Sequence, residues 1–178
     1  LAAYTAHTAG TMTGLDTAFD AVSYLASHAD LLAAYGSSTV LAKAHFFDYG
    51  LNESRELNSF DSQTYLASYD DLIAAFGSNT TSALTHYVSH GYGEGRAADA
   101  FDELGYIASY SDLISALGAS STAATDHYIN YGYSEGRTTT FDASSYLSAY
   151  SDLQTAFGTD LELAKQHYIN HGYSEGRV

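Results

Sequence analysis

The chain has 178 residues and is strongly acidic, with 21 Asp and Glu against six Lys and Arg and a net charge of −15. This balance excludes nucleic-acid binding, because the phosphate backbone requires a basic surface, and no apolar run is long enough for membrane insertion. Cysteine is absent, which excludes disulfides and thiolate metal sites, while 46% apolar residues are sufficient for a folded core.

Four copies of one pattern follow an N-terminal segment. The dipeptide Phe-Asp recurs at positions 19, 60, 101 and 141, so the period is 40 or 41 residues. We therefore divide the chain into a segment at 1–18, which is interpreted as a separate segment or the remnant of a preceding repeat, and repeats 1 to 4 at 19–59, 60–100, 101–140 and 141–178. The chain begins at Leu1 without a signal peptide, which predicts a fragment or a processed product.

The first half of each repeat predicts two short helices. In repeat 2, Asp61 is placed to cap a helix whose start is flanked by Phe60 and Tyr65 at the spacing of a hydrophobic staple. Ser68 and Asp71 form an S-x-x-D signal, which predicts a second helix capped by Ser68.

The second half of each repeat predicts a third helix. In repeat 2 it runs from about residue 79 to residue 90 and stops at Gly91, and glycines also close the second helices. Helices this short are not stable alone, so neighbouring repeats must bury their apolar faces together. The predicted fold is an all-α tandem array of four repeats, each of about three short helices.

Charged residues recur at fixed repeat positions. Four of the six cations are the arginines of a Glu-x-Arg sequence at the end of each repeat. We interpret each Arg as the partner of a carboxylate at a helix start of its own or the next repeat. The predicted structural ion pairs involve Arg55, Arg96, Arg137 and Arg177 with Asp20, Asp61, Asp102 and Asp142 or with Asp30, Asp71, Asp112 and Asp152. The alternative is that each Arg binds an anionic ligand.

Histidines also recur, and two repeats contain H-x-x-x-H. These pairs, His86 with His90 and His167 with His171, place two imidazoles on one helix face, but a zinc site needs further ligands. The other repeats carry Tyr at the second place, so we predict structural histidines and no metal or other cofactor. Calcium at an acidic site between repeats stays an alternative, although no calcium-loop motif is present.

Tyrosines and glutamates after the third helix are candidates for ligand contact. Repeated aromatic rings can stack on sugars or on a protein surface, and can equally pack on the adjacent repeat, which we prefer. The candidate contacts are Tyr92, Tyr133, Tyr173, Glu94, Glu135 and Glu175. No catalytic motif is present, and four-fold repetition is typical of a scaffold, so we predict that the protein is not an enzyme.

The pattern F-D-x-x-x-Y-L-A-S-Y-x-D-L-x-x-A-F-G…H-Y-x-x-x-G-x-x-E-G-R, over residues 19–177, resembles a module of about forty residues. That module recurs in large bacterial secreted and surface proteins, including adhesin-like and surface-layer-like chains exported by type I secretion. Family members often carry Pro before the second-helix Asp, where this chain has Ala29, Asp70, Ser111 and Ser151. The nonapeptide calcium repeat that accompanies the module is missing here, so the resemblance does not extend to calcium dependence.

The resemblance implies an extracellular or cell-surface location in bacteria. Together with the repetition, it predicts a non-enzymatic structural or interaction module of a filament, a surface layer or an adhesin, whose partners are other copies of itself or neighbouring domains. The alternative is a module that binds glycans or divalent cations.

Overall fold

A computed structural model describes residues 19–177 and shows three consecutive α-helices in each repeat. The first helices are α1 (Ala21–Ala26), α4 (Ser62–Ala67), α7 (Glu103–Ala108) and α10 (Ala143–Ala149). The second helices are α2 (Ala29–Tyr35), α5 (Asp70–Phe76), α8 (Ser111–Leu117) and α11 (Ser151–Phe157). The third helices are α3 (Thr39–His45), α6 (Thr80–His86), α9 (Ser121–His127) and α12 (Leu161–His167).

The predicted fold class is confirmed. Residues 19–177 contain no β-strand, and the same three-helix arrangement recurs in all four repeats. The predicted segment at 1–18 and Val178 lie outside the described residues.

Caps define where the first and second helices begin and end. The sequence predicts a cap at Asp61, and the equivalent residues of the other repeats are caps: the carboxylates of Asp20, Asp102 and Asp142 accept hydrogen bonds from backbone N–H groups of the first helical turn. Glycines with φ between 55° and 63° close the second helices, as expected for a left-handed residue. They are Gly36, Gly77, Gly118 and Gly158.

The predicted cap of the second helix is wrong. α5 begins at Asp70 and Tyr69 occupies the cap position, without a side-chain cap. The Ser68 hydroxyl instead donates to the carbonyl of Thr64 at 2.8 Å and accepts from the backbone N–H of Ala100 at 2.9 Å. Ser68 therefore ends the first helix and holds the start of the next repeat.

The third helix does not continue as an α-helix to its glycine. After the histidine, each third helix widens into one π-helical turn, in which backbone N–H groups bond five residues back, as from Tyr133 to Tyr128 at 2.9 Å. The four π turns are Phe46–Gly50, Tyr87–Gly91, Tyr128–Gly132 and Tyr168–Gly172.

The chain forms two packed units, and the division runs through repeat 2. One comprises the described residues 19–62 and 81–98, and in it α1 packs against α2, α3 and the π turn of repeat 2. The other comprises residues 63–80 and 99–177, and in it α7 packs against α8, α9 and the third helix of repeat 4. In repeats 1 and 3 the first helix thus packs on the third helix of its own repeat, and it also packs on the third helix or the π turn of the next repeat.

In repeats 1, 3 and 4, the glycine that ends the π turn lies directly under a buried tyrosine. A Cβ added at Gly50 would lie 2.6 Å from the hydroxyl oxygen of Tyr24, and one added at Gly132 or Gly172 would overlap the hydroxyl of Tyr106 or Tyr146. Glycine is required here because of close packing, and not because of a left-handed backbone.

Substitution of Gly172 by Ala should therefore destabilise the protein. Forcing a methyl group into this contact should cost about 1–3 kcal/mol in the free energy of unfolding, measured by urea denaturation. The additional substitution Tyr146→Phe removes the atom that the methyl group meets first and should recover part of the loss.

Gly93→Ala is the matched control, because a Cβ there would lie 3.4 Å from its nearest neighbour, the carbonyl oxygen of His90. Equal losses for Gly172→Ala and Gly93→Ala would contradict the close-packing account.

Candidate functional site

The repeated segment that begins at the third helix is the candidate site, and its histidine contacts a buried tyrosine of the first helix. The hydroxyl of Tyr106 and Nδ1 of His127 share a hydrogen bond of 2.9 Å, and Tyr106 is fully buried. Repeats 1 and 4 contain the same bond, between Tyr24 and His45 at 3.1 Å and between Tyr146 and His167 at 2.9 Å.

Burial raises the pKa of these tyrosines. The pKa of Tyr106 and that of Tyr146 both rise to about 12, mainly because burial disfavours the phenolate. The hydroxyl therefore stays protonated at neutral pH, and the histidine satisfies its hydrogen-bonding requirement in the core.

The ring after each histidine stacks on the phenylalanine that opens the repeat. In repeat 4 the rings of Tyr168 and Phe141 lie 4.4 Å apart, and the corresponding distances in the other repeats are 4.4 to 4.8 Å. Each third helix also carries a fully buried alanine three residues before the histidine, which allows the helices to approach closely. These alanines are Ala42, Ala83, Ala124 and Ala164.

Each repeat-end arginine contacts carboxylates of its own repeat. Arg55 binds Asp30 through both terminal nitrogens, at 2.9 and 2.8 Å, and binds Glu53 through Nε at 2.6 Å. Arg137 contacts Asp112 and Glu135 in the same way, and Arg177 contacts Asp152 and Glu175. In repeat 2, Arg96 binds Glu94 at 2.7 Å, and Asp71 lies in the first turn of α5.

The arginine also covers an aromatic ring. The guanidinium of Arg137 lies 4.7 Å from the ring centre of Tyr110, whose hydroxyl bonds both backbone groups of Thr138. Repeat 1 has His28 at this place, and its Nε2 donates to the carbonyl of Glu56 at 2.8 Å. His28 and Tyr110 thus bind the backbone carbonyl of the residue that directly follows the arginine in their repeats.

The ion-pair prediction does not hold for all of the Phe-Asp aspartates. The contacts of Asp20 and Asp142 are those of helix caps, because their carboxylates point back into the first helical turn. Asp61 immediately precedes α4. Asp102 does form an ion pair, but with Lys165 at 2.8 Å and not with an arginine.

Lys165 forms ion pairs that the repeated arginine pattern did not predict. It is 9% exposed and its Nζ contacts both Asp102 and Glu162. Burial alone would lower the pKa of Lys165, but these two hydrogen bonds raise it above its usual range. The lysine therefore links the third helix of repeat 4 to the start of repeat 3.

The paired histidines lie side by side on the third helix and its π turn. The ring centres of His86 and His90, and those of His167 and His171, are 5.6 Å apart. Across the described part of the chain, no three His, Asp or Glu side chains form a group that could hold a metal ion.

The candidate ligand-contact residues are engaged mainly within their own repeats. The rings of Tyr92 and Tyr173 lie 6.3 Å from those of Tyr87 and Tyr168, so each contacts a ring of its own repeat. Tyr133 is partly buried, and Glu94, Glu135 and Glu175 bind the arginine two residues later.

Two exposed tyrosines were noted in the sequence only as replacements for a histidine and were not named as contact candidates. Tyr49 and Tyr131 follow the histidines by four residues and are 59% and 58% exposed. The corresponding residues of the other repeats are His90 and His171, so the position faces outward in every repeat.

A cleft of about 490 Å³ lies in the second unit, between the α4–α5 corner and the start of repeat 3. Its lining includes Tyr69, Phe101 and Thr138, and the hydroxyl of Tyr128 donates to Asp70 at 2.7 Å. Repeats 1, 3 and 4 have Ala or Ser in place of Asp70, so this hydrogen bond is specific to one place in the array.

No family model, no curated protein and no solved structure matches the chain. None of the helices within residues 19–177 has the length and apolar character needed to cross a membrane.

Replacing His127 by Leu should destabilise the protein, because the buried hydroxyl of Tyr106 loses its partner. The expected loss is about 1–3 kcal/mol in the free energy of unfolding, measured by urea denaturation. Adding Tyr106→Phe should recover part of it, since no hydroxyl then remains unsatisfied.

His171→Leu is the control, because His171 is exposed on the π turn of repeat 4. A loss for His171→Leu as large as that for His127→Leu would contradict a structural role for the Tyr–His bond.

Arg137→Gln should lower stability in a pH-dependent way. Hydrogen bonds from Arg137 lower the pKa of Asp112 below its ordinary value of 3.8. The stabilisation is therefore complete above that value and is lost as the pH falls through the lowered pKa of the folded state.

Because the Asp112 side chain is 59% exposed, solvent screens the pair, and the loss at neutral pH should be about 1 kcal/mol or less. Thermal melts at pH 7 and pH 2.5 should show a difference between the parent and Arg137→Gln that is smaller in acid. A difference that is unchanged between the two pH values would show that Asp112 is not the partner that matters.

Proposed function

We propose that the chain is a non-enzymatic structural and interaction module of a bacterial extracellular or surface protein, such as a filament, a surface layer or an adhesin. The observation that carries this proposal is that residues at one repeat position make the same contact in several repeats. The histidines of repeats 1, 3 and 4 bond a buried tyrosine, and the arginines of the same repeats bond the aspartate at the start of the second helix. Catalytic sites are built from a single set of side chains, whereas these side chains recur as packing elements.

The surface properties of the chain support an interaction role. With a net charge of −15 the protein should stay soluble, while exposed aromatic rings at regular places provide contact points for another protein surface. The resemblance of the repeated pattern to modules of secreted bacterial proteins supports the extracellular setting. The partners we propose are other copies of the chain or neighbouring domains of a longer protein.

Self-association should be visible as a rise in molar mass with concentration in size-exclusion chromatography coupled to light scattering, and as ordered assemblies in electron microscopy. The double variant Tyr49→Ser/Tyr131→Ser should weaken association without lowering the melting temperature, because both rings are largely exposed. His90→Ser/His171→Ser alters the same position in the other two repeats and is the matched control.

A strictly monomeric parent that also fails to attach to bacterial surfaces would contradict the proposal. Association that is unaffected by Tyr49→Ser/Tyr131→Ser would place the contact elsewhere on the surface.

A second candidate function is glycan binding, which the cleft in the second unit favours. Its lining combines aromatic rings with carboxylate and hydroxyl groups, and this combination suits a sugar ring and its hydroxyls. The carboxylate of Asp70 is a lining feature that the corresponding residues of the other repeats lack.

A glycan array should then show binding that Asp70→Ser abolishes. Serine is the natural residue at this place in repeats 3 and 4, so the fold should tolerate the change. Calcium titration calorimetry on the parent tests the cation alternative in parallel. Absence of signal in both assays would remove ligand binding as a function.

A further inference from the structure

At the end of the first helix, repeat 4 carries two adjacent residues in the opposite order from the other repeats. After the buried tyrosine and its aliphatic neighbour, repeats 1 to 3 read Ala-Ser, and repeat 4 reads Ser-Ala. The pairs are Ala26 and Ser27, Ala67 and Ser68, Ala108 and Ser109, and Ser148 and Ala149.

In repeat 3 both residues of the pair serve the contact with the following repeat. Ala108 is 5% exposed and lies on α7, which packs against the third helix and π turn of repeat 4. The hydroxyl of Ser109 accepts hydrogen bonds from the backbone N–H groups of Thr140 and Phe141, at 2.8 and 3.0 Å. The alanine thus lets the next repeat approach, and the serine fixes the chain that leads into it.

The same serine contact recurs at the earlier junctions. Ser27 accepts from the N–H of Ser59 at 2.8 Å, and Ser68 accepts from the N–H of Ala100 at 2.9 Å. The contact is therefore a regular part of the way in which one repeat leads to the next.

Repeat 4 presents neither feature. Ser148 is exposed and its hydroxyl bonds the carbonyl of Ser145 at 3.0 Å, while Ala149 is exposed and has no hydroxyl. Ser144, also exposed, stands where repeat 3 has Leu104, which is 6% exposed. The outward face of α10 is polar at the places where α7 is apolar.

A further repeat docked on α10 would meet the polar side chains of Ser144 and Ser148 where α7 presents Leu104 and Ala108, and the backbone N–H groups at its start would find no hydroxyl acceptor of the kind that Ser109 provides. Buried polar groups without partners are costly, and stacked-repeat proteins end in repeats with a polar outer face. We infer that repeat 4 is a capping repeat, whose α10 face is closed to stacking by another repeat of this kind, in the same chain or in a second copy.

This inference goes beyond the proposed function, because it concerns how repeats stack and not what the module binds. It also restricts any self-association: copies of the chain do not assemble by docking repeat 1 of one molecule on α10 of another.

The test adds a second copy of repeat 4 after the first, because repeat 4 already docks on α7 of repeat 3. The chain is extended after Arg177 by residues 138–140 and a second copy of residues 141–177, which reproduces the natural junction between repeats 3 and 4. The extension is placed on the parent sequence and on the variant Ser144→Leu/Ser148→Ala/Ala149→Ser. Limited proteolysis followed by intact mass measurement reports how fast the added copy is removed.

The added copy should be removed at least about tenfold faster from the parent face than from the variant face, because cleavage follows the population of the undocked form. Equal rates of removal, whether both fast or both slow, would overturn the inference.

The reverse exchange in the natural chain keeps the test valid if the extended variant does not fold. Ala108→Ser/Ser109→Ala gives repeat 3 the Ser-Ala pair of repeat 4. Because it removes the acceptor for the N–H groups of Thr140 and Phe141, it should speed the proteolytic removal of residues 141–177. Unchanged removal would overturn the inference in the same way.

Discussion

The contact between a buried first-helix tyrosine and the third helix of the same repeat is the constraint on which the structure depends. Helices of six or seven residues are too short to persist alone, so each must gain its stability from packing. In repeat 4 the ring of Tyr146 is 2% exposed, its hydroxyl bonds His167, and it lies over Gly172. One side chain thus ties the first helix of the repeat to the third helix and its π turn.

This contact explains why several residues of the third helix and the segment after it recur in the sequence. In repeat 3, Ala124 allows the helices to approach, His127 satisfies the tyrosine hydroxyl, and Tyr128 stacks on the ring that opens the repeat. Gly132 leaves room for the hydroxyl, and Arg137 joins the end of the repeat to its second helix. These residues all have packing roles, which explains why they recur from repeat to repeat.

Local signals predicted most of the helices, because caps and closing glycines act within a few residues of one chain segment. The sequence did not reveal the π turn at Tyr128–Gly132 or the partner of His127, because both depend on a tyrosine about twenty residues earlier in the chain. Ser68 was misread for the same reason: its hydroxyl serves a linker 32 residues away, while its spacing to Asp71 imitates a local cap. The cleft beside Asp70 likewise forms only when separate segments meet.

Amide hydrogen exchange tests the central claim most directly, because it reports the stability of each helix separately. In repeat 4, the amides of α10 and α12 should exchange together and slowly, since Tyr146 joins these two helices. The amides of α11, where Leu153 is the buried residue, should exchange faster. Exchange in α10 that is as fast as that in α11 would show that the buried tyrosine does not hold the repeat together.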